Sequence, residues 1–445
     1  MHDVKPQPRP GGAIALLRTR RFGPLWVTQF LSAFNDNTLK NALVLMLAYR
    51  PELARGLPAP MLIPLAGALF ILPFFFGSAT AGELADAHDK AKIIRIIKLT
   101  EIAVMAIAAA AVLTESVWAL LALLFVMGIE ATFFGPLKYA ILPDLLGYDE
   151  LLAGNALVEA GTFFAILVGT IAGMLIATSH GGHTVAAVIV LIALCAWGTS
   201  RAIPATRPSA PNAPIEANFI AATGRLIAGA RRETTRFRSI LGISWFWLVG
   251  ATYLSQFPTY VRSYLGAEEA VVTLLLTVFS VGVGIGSLGA SRILNGRISA
   301  AIAPWGALGI ALLSCDLWLA SPAHPLPADA AISSLGAFLA QPHHWRILAD
   351  LLGIAIAGGV FVLPLYALLQ TAGDEHRRAR AIGANNVVNA AAMVLSALAV
   401  IALLAAGVSV PGLFLLTGVV TFPVAALFWR LRDGLVPNPA FVQSR

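Results

Sequence analysis

The chain has 445 residues, of which 58% are hydrophobic and only 12% are charged, and its formal net charge is +7. Soluble domains carry about 25% charged residues, so this composition excludes an ordinary soluble domain and predicts an all-α polytopic membrane protein. The positive charge is divided among short segments between apolar runs, so we predict no nucleic-acid partner. Both cysteines, Cys195 and Cys315, lie inside apolar runs, which predicts neither a disulfide nor a metal site, and no cofactor is indicated.

Apolar runs of about 20 residues recur along the chain, and a helix of that length crosses a bilayer. Twelve are predicted, near 22–49, 61–82, 92–113, 117–142, 155–178, 183–203, 238–261, 270–293, 299–320, 346–370, 381–406 and 409–431. They divide the chain into an N-terminal tail (1–21), a first six-helix half (22–203), a linker (204–237), a second six-helix half (238–433) and a C-terminal tail (434–445). The end of the Pro-rich linker predicts a short amphipathic helix.

Lysine and arginine are distributed unevenly between the two sides that these spans define. Of the 30 such residues, 24 fall on the side of both tails and four on the opposite side, while Lys40 and Lys138 lie inside spans. Because cytoplasmic loops carry the excess of positive charge, both termini are predicted to be cytoplasmic. Lys90 and Lys98 are counted as cytoplasmic, and Glu101 is interpreted as the structural partner of one of the loop cations.

The first span carries five polar residues at its middle: Asn35, Asp36, Asn37, Lys40 and Asn41. A charge at the bilayer centre costs ~2.5–3.5 kcal/mol, so such residues normally face a protein interior or a wet cavity. Asp36 and Lys40 are four residues apart, as are Asn37 and Asn41, so each pair can share one helix face. We predict that this face lines a central cavity. The alternative is an internal ion pair that only holds helices together.

The loop GELADAHDKAK between the second and third spans combines a glycine, an acid and a basic cluster in Gly82, Asp86, Lys90 and Lys92. Glycine permits close helix approach, and Asp86 can pair with a cation or with a helix N-terminus. The loop resembles the signature loop of major facilitator transporters, which latches the cytoplasmic side in one conformer. The alternative is an ordinary charged loop. The equivalent loop at 291–299 has no acid, which predicts a weaker gate there.

A second polar set lies in the fourth, fifth and eleventh spans and is predicted to ring the cytoplasmic half of the cavity. Its members are Glu130, Lys138, Glu159, Asn385 and Asn386. An ammonium is a compact donor for phosphate, so Lys138 is a natural partner for an anionic head group. A purely structural pair of Lys138 with Glu159 is an equally open interpretation.

The two halves resemble each other in sequence. PLKYAIL at 136–142 recurs as PLYALL at 364–369, and each is followed by a helix start that contains asparagine. Parallel six-helix repeats organise the major facilitator transporters, whose substrate site lies between the halves. We therefore predict the major facilitator fold, with 12 transmembrane helices as two parallel six-helix repeats. A GxGxxG match at 284–289 has no preceding strand, so Gly282 and Gly286 are interpreted as a helix-packing pair.

A closer resemblance is carried by QFLSAFNDNTLKNAL, FFGPLKYAILPDLL, GNALVEAGTFFAILVGTI, GGVFVLPLYALLQ and RARAIGANNVVNAA. In these stretches the chain resembles the bacterial lysophospholipid transporter family, including the transporter half of fused transporter–acyltransferase proteins. The resemblance implies uptake of lysophospholipid, chiefly lysophosphatidylethanolamine, across the bacterial inner membrane for re-acylation, with membrane lipids as further partners. It also implies that Asp36 and Lys138 are functional residues of the cavity.

The sequence departs from this family in two ways. The seventh span has no arginine where we expect a cation in stand-alone transporters, and Trp245 and Trp247 occupy that region instead. No acyltransferase domain follows the last span, so we expect any coupled re-acylation to need a separate acyltransferase.

Two other classes of function are weighed against lysophospholipid transport. A proton-coupled carrier of a small molecule or drug would use Asp36 or Glu130 as its proton site. A membrane enzyme would need a nucleophile–base pair or a metal cluster, and the sequence offers neither, so we predict that the protein is not an enzyme. For a two-ended lipid, the polar residues would replace water around the head while phenylalanines contact the acyl chain.

Overall fold

The computed structural model describes residues 13–49, 59–179, 181–211, 218–327, 331–374 and 377–437. Fifteen α-helices lie within these ranges. They are α1 (Gly23–Tyr49), α2 (Ala59–Ala87), α3 (Lys90–Leu113), α4 (Val117–Ala140), α5 (Leu142–Leu145), α6 (Leu151–Ser179), α7 (Gly181–Ser200), α8 (Phe219–Arg232), α9 (Thr234–Ser263), α10 (Glu269–Leu294), α11 (Ala303–Ala320), α12 (Leu335–Leu339), α13 (Pro342–Thr371), α14 (Arg378–Ala405) and α15 (Val410–Leu431). Strand pairing in the described residues is limited to one isolated bridge between Ala267 and Ser333.

Twelve of these helices have the length of a membrane span, which confirms the predicted all-α fold class. Eleven are long and apolar enough to cross a membrane by composition alone. The twelfth is α1, whose 27 residues correspond to about 40 Å of helix and include the polar cluster around Asp36. The three short helices are connectors: α5 follows α4, α8 lies in the linker, and α12 precedes α13.

The long helices pack in the same pattern in both halves. In the first half, α1 packs on α6, α2 on α4, and α3 on α7. In the second half, the equivalent pairs are α9 with α14, α10 with α13, and α11 with α15. The halves meet along two seams, α2 against α14 and α6 against α10. Replacing each helix by its equivalent in the other half turns one seam into the other. This repeated packing confirms two parallel six-helix repeats.

Small residues let α10 and α13 approach closely within the second half. A Cβ atom added at Gly286 would collide with the carbonyl oxygen of Ile356, and one at Gly282 would lie 2.6 Å from the Cβ of Ala355. Both glycines therefore serve helix packing, as predicted. This arrangement accounts for the GxGxxG match without any nucleotide.

The two halves are held together at one end of the bundle, where the loop after α2 meets the start of α14. We call this the latched end. Asn155 of α6 and Gln370 of α13 exchange amide hydrogen bonds of 2.7 and 2.9 Å across it. These contacts join α6 of the first half to α13 of the second.

Candidate functional site

Seven ionisable side chains of α1, α3, α4 and α6 form a set that we call the charged interior. Its members are Asp36 and Lys40 on α1, Lys98 and Glu101 on α3, Glu130 and Lys138 on α4, and Glu159 on α6. Three cations and four carboxylates thus face one another in a medium where unpaired charges are costly. How each is satisfied decides which of them is available to a substrate.

Lys40 on α1 does not pair with Asp36. Its ammonium donates to Asn37 Oδ1 at 3.0 Å. Asn41 donates to Asn37 O at 2.8 Å and to Thr170 of α6 at 3.1 Å, so it faces α6. Within the described residues, the carboxylate of Asp36 has no hydrogen bond and no ion pair within 4.0 Å. It is therefore a half-buried anion left for another partner.

Asn35, the remaining polar residue of the α1 cluster, points away from this face. It is fully buried and donates to the carbonyl of Ile189 on α7 at 3.1 Å. Asn37 thus bonds within α1, to Ala33 O and Lys40, whereas Asn41 links α1 to α6.

Lys98 is a buried residue of the charged interior and not a cytoplasmic loop residue, so counting it as cytoplasmic was wrong. Its ammonium lies 2.5 Å from Glu101 Oε2, contacts the hydroxyl of Ser32, and stands 4.2 Å from the ring centroid of Phe134. The pairing predicted for Glu101 is confirmed, but its partner comes from one helical turn away and not from the loop. This closed pair serves the packing of α1, α3 and α4.

Glu130 lies on α4 beside Thr100 of α3, and both Glu101 and Asp36 are near enough to repel its charge. One of its carboxylate oxygens, Oε1, is buried without a hydrogen-bond partner. Glu130 and Asp36 are thus the two carboxylates of the charged interior with the fewest compensating contacts.

Lys138 and Glu159 form no ion pair within 4.0 Å, so the structural pair that the sequence left open as one of two interpretations is not observed. The ammonium of Lys138 lies 3.4 Å from Thr162 Oγ1, and Thr162 in turn donates to Gln29 at 3.0 Å. Glu159 is fully buried and accepts a hydrogen bond from the hydroxyl of Tyr139, while its Oε2 atom has no partner. Lys138 is therefore held by neutral oxygen atoms and keeps donor capacity for an anion.

An aromatic bridge joins the charged interior to the second half. Tyr139 stacks on Tyr366 of α13 with ring centroids 4.6 Å apart. Tyr366 accepts a hydrogen bond of 3.0 Å from the indole of Trp247 on α9, and Trp247 stacks at 6.1 Å on Phe163 of α6. None of these aromatic contacts was predicted. PLKYAIL contains Tyr139 and PLYALL contains Tyr366. This sequence repeat is the signal that could have indicated the stacked pair of tyrosines.

The predicted asparagines of α14 lie next to this bridge. Asn385 is fully buried beside Tyr366, with its Oδ1 atom unpartnered. Asn386 faces Gly135 of α4 across the seam, and its Nδ2 atom is also buried without a partner. Both amides have polar atoms free to reorganise when the halves move.

Although Asp350 of α13 is buried, the interior of the second half is mostly neutral. Its polar contacts join hydroxyl and amide groups on different helices. They are Ser244 with Asn389 at 2.6 Å, Thr252 with Ser396 at 2.7 Å, and Tyr253 with Ser314 at 2.8 Å. Each group is satisfied inside the half. The described residues contain no group of three side chains that could hold a metal ion.

At the latched end, Asp86 of α2 caps a helix of the other half. Its carboxylate is fully buried and accepts the backbone N–H groups of Ala379 at 3.0 Å and Arg380 at 3.2 Å, at the start of α14. A Cβ atom at Gly82 would lie 2.9 Å from Ala379 O, so glycine is needed for this approach. Arg377, the N-cap residue of α14, makes no side-chain cap bond.

A second carboxylate at the latched end holds one cation from each half. Asp144 Oδ2 lies 3.0 Å from the buried ammonium of Lys90, and its Oδ1 atom lies 3.1 Å from Arg378. Lys90 also donates to Ser209 of the linker at 3.0 Å. Lys92, predicted to belong to the same latch, is exposed and makes no side-chain contact of this kind in the described residues.

Asp89, three residues after Asp86, caps α3 within its own half. It accepts hydrogen bonds from Ala91 N at 3.0 Å and from Thr206 N at 2.9 Å. Burial of Asp89 opposes its charge, but these hydrogen bonds outweigh that effect and hold the pKa of its carboxyl below the usual value. The loop therefore contains two capping carboxylates, one local and one that crosses the seam.

The equivalent loop of the second half packs by backbone contact. Gly296, at φ +78°, places its α-carbon so close to Asp149 of the first half that a Cβ would lie 3.1 Å from Asp149 O. No carboxylate of that loop caps a helix across the seam, in line with the missing acid at 291–299.

Two six-helix repeats with polar groups between them and a capped seam at one end are the architecture of a membrane transporter. Comparison with known proteins agrees: the model of the Major Facilitator Superfamily matches residues 25–397. The lysophospholipid transporter LplT of Serratia proteamaculans is 30% identical over 369 residues, covering 81% of each chain. LplT of Cronobacter sakazakii is 28% identical over 374 residues, covering 81% of this chain and 82% of the relative.

Solved structures support the same fold. The human organic anion transporter MFSD10 superposes with a TM-score of 0.70 at 16% identity, covering 94% of this chain and 98% of the other. The transporter FucP in its outward conformation gives 0.67 at 14% identity, covering 92% and 98%. The chain belongs to the major facilitator superfamily and, within it, to the lysophospholipid transporter family. It is a multi-pass inner-membrane transporter and not an enzyme.

Proposed function

We propose that the protein moves lysophospholipid, with lysophosphatidylethanolamine as the main substrate, across the inner membrane by alternating access. The observation that carries this proposal is the charge of the first-half interior. Asp36 has no hydrogen bond or ion pair in the described residues, and the ammonium of Lys138 contacts the Thr162 hydroxyl at 3.4 Å and the Tyr139 ring at 5.0 Å without a bonded carboxylate. A zwitterionic head group has a phosphate for the ammonium of Lys138 and an amine for the carboxylate of Asp36. A neutral substrate would leave both charges unsatisfied.

An aromatic strip beside this polar face suits a single acyl chain. Trp26, Phe30 and Phe34 follow one another at four-residue spacing on α1, with ring centroids 5.3 and 6.5 Å apart. Phe164 of α6 continues the strip at 6.0 Å from Phe30 and is 52% exposed. Because α6 borders the seam with α10, a chain lying on this strip would leave the protein sideways into lipid.

The distribution of basic residues supports a cytoplasmic position for the latched end and for both termini. In this orientation the structure corresponds to a conformer closed towards the cytoplasm. Opening of the latch would then deliver the head group to the inner leaflet, where a separate acyltransferase would re-acylate the lipid. The tails themselves lie largely outside the described residues.

The test uses proteoliposomes that contain the full chain and lysophosphatidylethanolamine with a labelled head group. The wild type should transfer label between leaflets, and Asp36→Ala should reduce the rate about tenfold or more, because a charged group loses its partner. Asp316→Ala, which removes the exposed partner of Arg346 in the second half, is the matched control and should transfer normally. Equal rates for Asp36→Ala and wild type would contradict the site.

A second candidate, proton-coupled transport of a small molecule, is favoured by one observation. Asp36 and Glu130 lie close enough to repel each other and have few compensating contacts, as expected for carboxylates that exchange protons. An imposed pH gradient should then drive uptake of a solute, and lysophospholipid transfer should be absent. Label transfer that is indifferent to the gradient would exclude this candidate.

A further inference from the structure

A cavity of about 340 Å³ lies at the latched end, outside the charged interior. Its walls come from the end of α2, from α8 of the linker, and from the starts of α9 and α14. Five arginines line it against two glutamates: Arg225, Arg232, Arg236, Arg377 and Arg380 with Glu83 and Glu233. We call this cavity the arginine pocket. Such an excess of guanidinium groups in one cavity needs a physical account.

One of these arginines is satisfied within the protein. Arg236 is 1% exposed, lies 2.6 Å from Glu233 Oε2 and donates to Asp374 O at 2.7 Å. This pair forms the floor of the arginine pocket and neutralises one of its two glutamates. The remaining positive charge lies on the side walls.

Three other arginines lack a close anion. Arg377 approaches Asp374, and Arg380 approaches Asp86, only to 3.8 Å, longer than the ~2.7–2.9 Å of a charge-assisted hydrogen bond. Arg232 has no hydrogen bond or ion pair within the described residues. The Nε atom of Arg380 is also buried without a partner. Among the described residues, the guanidinium groups of Arg232, Arg377 and Arg380 thus have no carboxylate within the distance of a charge-assisted hydrogen bond.

The linker helix α8 leaves the space into which these groups project. Ala222, Leu226 and Ala230 are buried at four-residue spacing and fix α8 against the bundle. Gly229 lines the pocket, and a Cβ added there would meet no atom within 4 Å. A small residue on this wall and long basic residues around it produce a cavity with a cationic rim.

Guanidinium groups recognise phosphate by paired hydrogen bonds, and basic pockets at the cytoplasmic ends of spanning helices suit lipid head groups. The pocket lies where α2 ends and where α9 and α14 begin, so a cytoplasmic latched end, as proposed above, would put it at the level of the lipid head groups. We propose that the arginine pocket binds the phosphate of an anionic phospholipid head group and that the bound lipid stabilises the closed latched end. This site is separate from the substrate site and does not depend on which substrate is carried.

Lipid binding at the arginine pocket is coupled to conformation because the walls of the pocket come from both halves. Glu83 belongs to the first half, whereas Arg377 and Arg380 belong to the second. When the seam between α2 and α14 opens, these walls separate and the pocket is lost. A ligand that binds one conformer better shifts the equilibrium towards it, so an anionic lipid should favour the closed state.

The binding test titrates the purified full chain in a neutral detergent with three probes: dioctanoyl phosphatidylglycerol, dioctanoyl phosphatidylcholine and inorganic phosphate. Phosphatidylglycerol should bind at least about tenfold more tightly than phosphatidylcholine. The double variant Arg232→Gln/Arg377→Gln should lose about tenfold in affinity. Arg231→Gln is the matched control, because Arg231 is the exposed neighbour on α8 and does not line the pocket, and it should bind within about twofold of wild type.

The outcomes separate the sources of phosphate. Tighter binding of phosphatidylglycerol than of inorganic phosphate supports the lipid, whereas equal binding of both overturns it in favour of a free anion. Affinity unchanged in the double variant overturns the pocket as the site.

A second measurement keeps the proposal testable if the double variant folds poorly. In nanodiscs with phosphatidylglycerol, amide hydrogen exchange at the start of α14 should slow relative to pure phosphatidylcholine, and Gly229→Trp, which fills the pocket, should abolish the difference. Equal exchange in both lipids for the wild type would contradict the coupling.

Discussion

The two halves of this transporter share a packing pattern but differ in the chemistry of their interiors. The first half places seven ionisable side chains of α1, α3, α4 and α6 in its charged interior, whereas the polar contacts inside the second half join hydroxyl and amide groups of different helices. Asp316, Arg346 and Asp350 of the second half lie towards the helix ends opposite the latch, and its arginines at the start of α14 lie at the latch itself. A repeat can therefore preserve helix contacts while binding chemistry is concentrated in one copy.

The same division holds at the latched end. The first half contributes the carboxylates of Asp86 and Asp144. From the second half, two backbone N–H groups donate to Asp86, and Arg378 pairs with Asp144. If charge in the first half determines both binding and closure, removing it there should have large effects. Removing polar groups of the second half should have small ones.

The largest effect is expected for Asp144→Ala. The change leaves the fully buried Lys90 and the nearly buried Arg378 without their shared carboxylate. Removing one member of a buried pair costs about 3–5 kcal/mol, so the closed conformer should lose most of its population. Distances between spin labels on α2 and α14, measured by double electron–electron resonance, should lengthen. Asp316→Ala, at an exposed pair, should leave them unchanged.

Lys138→Met tests the binding side of the comparison. It removes an ammonium that contacts Thr162 and the Tyr139 ring and should slow lysophospholipid transfer about tenfold or more, because a charged hydrogen bond is worth about 1.5–3 kcal/mol. Thr252→Val removes the 2.7 Å contact with Ser396 in the second half and should reduce transfer by less than about fivefold. Proteoliposome transfer rates measure both. Similar losses would mean that the halves contribute equally.

Two aspartates of one loop sharpen the comparison at the latch. Asp86→Ala removes a cap across the seam and Asp89→Ala removes a cap within the first half, and each should cost about 0.5–2 kcal/mol. Only Asp86→Ala should increase labelling of a cysteine introduced on the α2 face of the seam. Asp89→Ala should instead speed hydrogen exchange at the start of α3. Equal labelling of both variants would show that the position of the cap is irrelevant.

The smallest effect is expected at the neutral bridge between Asn155 and Gln370. Their two mutual hydrogen bonds should couple by about 1 kcal/mol in a double-mutant cycle of alanine variants. The measured quantity is the closed fraction from the same spin-label distances. A coupling energy as large as the effect of Asp144→Ala would mean that the neutral bridge stabilises the closed state as much as the charged bridge does.

Much of the fold could be predicted from the sequence, because bilayer thickness fixes helix length and apolar composition reports it. The predicted spans correspond to the twelve long helices, and the likeness of PLKYAIL to PLYALL indicated the repeat. Residues close in sequence were also well predicted: the loop at Gly82 and Asp86 does lie against the other half. Composition and local spacing carry this information directly.

Side-chain partners inside the membrane could not be predicted in the same way. Helical spacing allowed Asp36 to pair with Lys40, yet Lys40 donates to Asn37, which is nearer along the helix surface. Lys98 was counted with the loop because the rule that cytoplasmic loops are rich in Lys and Arg uses only position along the chain. The structure places Lys98 beside Glu101. The stacking of Tyr139 on Tyr366 joins residues far apart in sequence, and no local spacing reports it.

Because Asp86 caps α14 across the seam, opening of the latch should depend on temperature. The first turn of α14 relies on a carboxylate from the other half for two of its N–H groups, since Arg377 makes no cap of its own. When the halves part, that turn is released, and each residue freed regains about 1–2 kcal/mol of conformational entropy at ambient temperature. Opening is thus partly a local melting, favoured by warmth and opposed by cold.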